Sequence, residues 1–132
     1  MKTNLDSMFK SNSKNEIDGV WFDISEDVGF HIKRFGGMNS PAIKKALAIH
    51  HKPYARLIEK GLLEEAKERR IYTRVFVEAC MINWKGVEID GEFKDFSDEL
   101  AVEFFVGLPE LLDTLVDYAQ TNSNYADDVG NS

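Results

Sequence analysis

Three histidines, one cysteine and many carboxylates are the residues of this chain that could do chemistry. His31 stands alone. His50 and His51 are neighbours in a helical stretch, where adjacent side chains point about 100° apart and do not converge on one metal. There is no His-Glu-x-x-His and no paired-cysteine motif, and Asp90-Gly91-Glu92 is far shorter than a calcium-binding EF-hand loop. A lone Cys80 forbids an internal disulfide. Within the run Val75-Phe76-Val77-Glu78-Ala79-Cys80-Met81-Ile82 it reads as a small core residue, not a reactive thiol. No serine occupies a Gly-x-Ser-x-Gly elbow. Gly36-Gly37 ahead of Ser40-Pro41 could present free N–H groups to an anion, but the Gly/Lys/Ser spacing of a nucleotide loop is missing. Surface carboxylates alone make no catalytic pair, because such a pair needs burial. The expectation is a protein without catalytic residues, metal or cofactor, which acts by binding and is not an enzyme.

The residues that would position a binding surface belong to one domain. A chain of 132 residues can bury one core and is short for two. No run approaches the roughly 18 apolar residues needed to cross a bilayer. The opening MKTNLDSMFKSNSKNE lacks an apolar signal segment, so a cytoplasmic location without membrane contact is expected. The net charge of −7 conceals a division. Residues 1–85 carry 15 Lys/Arg against 11 Asp/Glu, and residues 86–132 carry 1 against 12. Residues 30–75 alone hold 11 basic and 4 acidic side chains. Either the halves fold against each other and neutralise, or a basic face meets one partner and an acidic face another, including the next copy of the same chain. Nucleic acid is the polyanion such a basic stretch would suit, but the acidic remainder repels it, and no recognition helix is evident around Pro53 and Gly61.

The patterning predicts an α+β fold, mainly α-helical, with an N-terminal β-hairpin, a helical core and a second short hairpin. Residues 1–15 are polar and aperiodic and read as a flexible arm. Around Trp21, Ile17, Val20, Phe22 and Ile24 alternate imperfectly, and Val28, Phe30 and Ile32 alternate after the turn Ser25-Glu26-Asp27, which predicts a hairpin over residues 16–35. Ser40 is the expected cap and Pro41 the first residue of a helix that Pro53 interrupts and Gly61 ends. A long helix follows from Leu62 or Leu63 through Trp84, charged in its first half and apolar in its second. Gly86 closes it. Asp90-Gly91 then suits a tight hairpin turn between Val87-Glu88-Ile89 and Phe93-Lys94-Asp95-Phe96. Ser97 caps a short apolar helix, Gly107-Leu108-Pro109 breaks it, and Pro109 starts a last helix buried along Leu111, Leu112, Leu115, Val116 and Ala119. Residues 121–132, TNSNYADDVGNS, read as a disordered acidic tail.

This order of elements resembles the tail assembly chaperones of long-tailed bacteriophages. The phrases that carry the resemblance are Trp84-Lys85-Gly86-Val87, Asp90-Gly91 with Phe96-Ser97, and Pro109-Glu110-Leu111, within a single chaperone-like domain over residues 16–120. The resemblance implies a mainly helical protein of the host cytoplasm that binds the tape measure protein during tail morphogenesis and is absent from the finished virion. It also implies a longer frameshifted form and no catalytic residues. Apolar side chains in excess of one small core are the candidate client surface: Trp84, Phe93, Phe96, Phe104 and Phe105, which crowd the second hairpin, although aromatics at these spacings usually pack a core. Homo-oligomers would let many copies line one long client. The alternatives are a tail-completion or connector protein that stays in the virion, and a small nucleic-acid-binding regulator using residues 30–75.

Overall fold

A computed structural model describes residues 3–5 and 12–126, and within these the chain is α+β and mainly helical. The first helix, α1 (Ser13–Asp18), forms where a strand was expected from Glu16 onward. The Asn12 side chain accepts from the backbone N–H groups of Lys14 and Asn15, which caps the turn, and Gly19 at φ +84 ends it. The expected arm therefore contributes residues 13–15 to an ordered helix, and residues 1, 2 and 6–11 lie outside the described residues.

β1 (Val20–Asp23) and β2 (Gly29–Ile32) make the expected hairpin, with Val20 opposite Ile32 and Phe22 opposite Phe30. Ser25 Oγ accepts from the N–H of Val28 and closes the turn. After Gly36-Gly37, α2 (Ser40–Ala46) carries Pro41 in its first turn. Ser40 does not cap it. The preceding Asn39 is buried, and its amide donates to the carbonyls of Arg34 and Ala79, both at 2.9 Å. Pro53 has no N–H to give, and the chain around it loosens into a π turn (Leu47–His51) and a 3-10 turn (Lys52–Tyr54) before α3 (Ala55–Glu59). Gly61 at φ +68 then provides the expected left-handed exit, with Leu62 N–H reaching Leu57 O at 2.8 Å.

The long helix α4 (Glu65–Cys80) stops four residues before Trp84, contrary to the sequence pattern. Met81–Lys85 is a strand, β3, paired antiparallel with β2, so the hairpin becomes a sheet ordered β1-β2-β3. No glycine or proline marks this stop. Partners from elsewhere take up the helix's last carbonyls: Asn39 Nδ2 binds Ala79 O, and Lys33 N–H binds Cys80 O at 2.7 Å. Tertiary hydrogen bonding thus overrides a helical propensity that would otherwise run on.

Gly86 at φ +71 ends β3, not a helix, and a Cβ there would run into the carbonyl of Asp27. Asp90 at φ +54 and Gly91 at φ +81 form the expected turn between β4 (Glu88–Ile89) and β5 (Glu92–Phe93). Ser97 Oγ accepts from Leu100 N–H and caps α5 (Asp98–Val106), and α6 (Pro109–Gln120) begins at Pro109. The core lies between α4 (Val75, Phe76, Val77, Cys80), the sheet (Phe30, Ile32, Met81, Trp84) and α5–α6 (Val102, Phe105, Leu112, Leu115).

The tail expected to be disordered from residue 121 is ordered in its first part. Asn122–Tyr125 form a 3-10 turn, and Tyr125 is completely buried. Its hydroxyl donates to Ile32 O at 3.2 Å and its carbonyl accepts from Asn12 N–H at 2.8 Å, so it ties the end of the chain to β2 and α1. An aromatic with a polar tip buries well where that tip finds a partner. Residues 127–132 lie outside the described residues.

Candidate client surface and basic groove

The five aromatics singled out from sequence divide by burial. Trp84 and Phe105 belong to the core, at 5% and 0% exposure. Trp84 Nε1 donates to Lys94 O at 2.7 Å, which satisfies the indole and pins the second hairpin to β3. Ring edges surround the indole: Phe96 at 5.3 Å, Phe104 at 5.4 Å and Phe105 at 6.4 Å between centroids, all steeply inclined. Such edge-to-face contacts add about 0.5–1.5 kcal/mol each beyond the area they bury. Phe96 and Phe104 are half-buried, with one edge packed on Trp84. Phe93 is 73% exposed. Trp84 and Phe105 are thus framework, Phe96 and Phe104 form the border, and Phe93 alone stands free of the core.

Phe104 also forms one wall of a shallow trough of about 220 Å³. Ile24, Val28, Phe30, Val87 and Leu111 complete its apolar lining, with Gly86 at the base and Glu88 as its one charged member. Ile24 at one side and Leu108, at the α5–α6 break, are both nearly half exposed. The β1–β2 turn and the α5–α6 corner place these side chains, and Gly86 lets the backbone of β3 approach the turn closely enough to close the trough floor. Glu26 and Asp27 follow Ile24 in the turn, and Glu110 precedes Leu111, so the apolar surface carries acidic neighbours.

A second depression lies along α4. It encloses about 380 Å³ between the irregular stretch that holds Ile49, His50, Pro53 and Tyr54 and the α4 face that holds Lys67, Arg70, Ile71 and Arg74. Positions 67, 70, 71 and 74 fall on one helical stripe, so the spacing could have revealed this face; the sequence reading placed other stripes of α4 inward. The π turn sets the two adjacent histidines against different residues of α4. His50 Nε2 lies 2.7 Å from Glu78 Oε2, and His51 Nε2 lies 3.1 Å from Tyr72 Oη. Those partners are separated by roughly 9 Å of helix rise, so the histidines diverge as expected. Lys67 Nζ sits 4.8 Å from the centre of the Tyr54 ring. Arg70 pairs with Glu103 of α5, which among the described residues is the ion pair that joins the basic and acidic halves. Arg74 on the same helix also acts electrostatically on Asp98 of α5.

Cys80 is fully buried, and burial pushes its thiol up to about 12, with Lys33 and a hydrogen bond from Asn39 opposing. A thiol so held is packing, not a nucleophile. Burial likewise raises the Tyr125 phenol. Among the described residues no group of three or more His, Cys, Asp or Glu side chains is placed to hold a metal ion. No helix among them is long and apolar enough to cross a membrane.

The model of one protein family, described as YdaY prophage protein, matches residues 38–131. The match begins at Met38 and spans both walls of the basic groove, the Trp84 cluster, the second hairpin and α5–α6. No curated protein and no solved structure matches the chain.

Proposed function

The chain belongs to the YdaY prophage protein family, and from that premise we propose that it is a non-enzymatic tail assembly chaperone. Its client in this reading is the tape measure protein, which it holds in the host cytoplasm during tail morphogenesis. A tape measure is a long helical polypeptide with an apolar stripe that needs cover until the tube encloses it. The observation that carries the reading is the trough beside Phe104: an apolar channel, open to solvent, with Ile24 nearly half exposed along it. A monomer gains nothing from that exposure, whereas an amphipathic helix with basic flanks would bury it and meet the acidic neighbours. The resemblance of Trp84-Lys85-Gly86-Val87, Asp90-Gly91 and Pro109-Glu110-Leu111 to the tail chaperones supports the same assignment. The client site in this reading shifts accordingly from Trp84 and Phe105, which are framework, to Phe104 with Ile24 and Leu111.

Co-expression with the tape measure protein of the same prophage tests this. The chain should co-purify with it, Ile24→Glu and Leu111→Glu should each reduce recovery at least tenfold, and the melting temperature of the Ile24→Glu chain should stay near that of the parent. Mass spectrometry should find the chain absent from finished particles. Near-stoichiometric presence in virions would replace this reading with a connector or tail-completion role. Recovery untouched by both substitutions would remove the trough from it.

A further inference from the structure

We infer that this chain associates head to tail with copies of itself, the second hairpin of one copy seating Phe93 in the basic groove of the next. The knob is built by β4 and β5. Among the described residues Phe93 is the most exposed of the large apolar side chains, and its cross-strand partner is Glu88, so the ring and that carboxylate share one face of the hairpin. Asp90, Glu92 and Asp95 surround them within the same turn and its exit. Lys94 Nζ, at 2.9 Å from Glu92, offsets one charge and leaves the hairpin acidic.

The groove on α4 has the complementary composition. Ile49, Pro53 and Tyr54 give an apolar floor for a ring, and Lys67 and Arg74, beside the Arg70 that Glu103 already engages, give a cationic margin for carboxylates. Ile49 is half exposed, so the floor is uncovered within one copy. Phe93 is exposed in the same copy whose groove floor is uncovered, so within this inference the contact is between copies. In the head-to-tail arrangement the contact is heterologous: each copy keeps one free knob and one free groove, and growth continues until geometry closes a ring or a filament runs on. Charge complementarity of this kind speeds encounter and weakens with salt. The inference stands apart from the identity of any client, though an array would set successive troughs along one long polypeptide.

Sedimentation velocity on the full chain tests it. Weight-average mass should rise with protein concentration at about 50 mM salt and fall back toward the monomer at about 500 mM, where charge screening is strong. Phe93→Ser should weaken association at least tenfold, as should Lys67→Glu or, in a second position, Ile49→Glu. The decisive arm mixes variants. Phe93→Ser keeps an intact groove and Lys67→Glu an intact knob, so a mixture should form heterodimers and stop there, because the two remaining ends are defective. A monomer at all concentrations and salts would overturn the inference. So would association unaltered by these substitutions, or a mixture without heterodimer. A groove that instead retains a DNA duplex, with the chain itself monomeric, would also overturn it.

Discussion

The two ends of β2 are held by different physics. At Phe30 the strand is gripped by rings: the side chain lies edge-on to Trp84, its cross-strand partner, and 5.8 Å from Phe105. Past Ile32 the same chain is gripped by hydrogen bonds. Ile32 O takes the Tyr125 hydroxyl, Lys33 N–H gives to Cys80 O, and Arg34 N–H gives to Glu16 O. The Arg34 guanidinium then meets the Glu16 carboxylate at 2.8 Å, with those side chains 16% and 5% exposed. Apolar packing tolerates substitutes of similar volume, since it asks only for shape. The polar end asks for particular atoms at particular distances and fails badly when one is missing.

The largest break of the comparison comes at the ring end. Trp84→Ala empties the centre of the aromatic set and frees the second hairpin from β3, and should cost about 3–5 kcal/mol. Chemical denaturation would read this as a fall in midpoint. Trp84→Phe should recover much of the loss, since packing is largely kept while only the bond to Lys94 O goes.

At the polar end Glu16→Ala should cost about 3 kcal/mol, because it removes the buried carboxylate that meets the Arg34 guanidinium at 2.8 Å and accepts from the Met38 N–H. Here the milder isostere should not rescue: Glu16→Gln keeps the shape and removes the charge, and its midpoint should stay close to that of the alanine variant. Recovery by glutamine would show that shape, not charge, holds this end, and the contrast between the two ends would collapse.

That contrast also explains what could be read from residue order. Trp84, Phe105, Leu112 and Leu115 announce themselves as core by type and spacing, and the caps at Ser97 and Pro109 and the Asp90-Gly91 turn declare themselves locally. The polar end is long-range. Glu16, Asn39 and Tyr125 lie in stretches that look like a strand, a helix start and a tail, and the role of each emerges only once distant residues arrive. The end of α4 at Cys80 belongs to the same class, since its carbonyls are claimed by Lys33 and Asn39 from much earlier in the chain. The site divides likewise. Phe93 and Phe104 were named from sequence, but the Lys67-Arg70-Ile71-Arg74 stripe was not, because its charges pass for an ordinary solvated helix face until the π turn opposite supplies the apolar wall.

A smaller and pH-dependent break probes where the two ends meet. Burial, the main cause, lifts the Cys80 thiol from an ordinary value of 9.0 to about 12 in the fold. Above about pH 9 the unfolded chain sheds a proton that the folded chain keeps, so stability falls as pH rises through this window and is intact below it. The Tyr125 phenol, raised chiefly by its own burial, acts in the same direction above pH 10. Thermal melts across pH 8 to 11 should therefore show a steady decline, shallower for Cys80→Ala after its lower starting stability is taken into account. An equal slope in both proteins would mean that the thiol titrates at its ordinary value and is not sealed by the fold.

The smallest effect on folding belongs to the residue with the largest part in association. Phe93 is outside both grips, and Phe93→Ser should shift stability by less than about 0.5 kcal/mol, as surface substitutions do. Its removal should instead abolish the concentration dependence of the melting temperature, because assembly stabilises the folded state by mass action. Measured at low and high protein concentration, the parent chain should melt at two temperatures and the Phe93→Ser chain at one. A drop in the variant's melting temperature at high dilution, where no copies meet, would place Phe93 in the fold after all, as a third grip on β3 through the second hairpin.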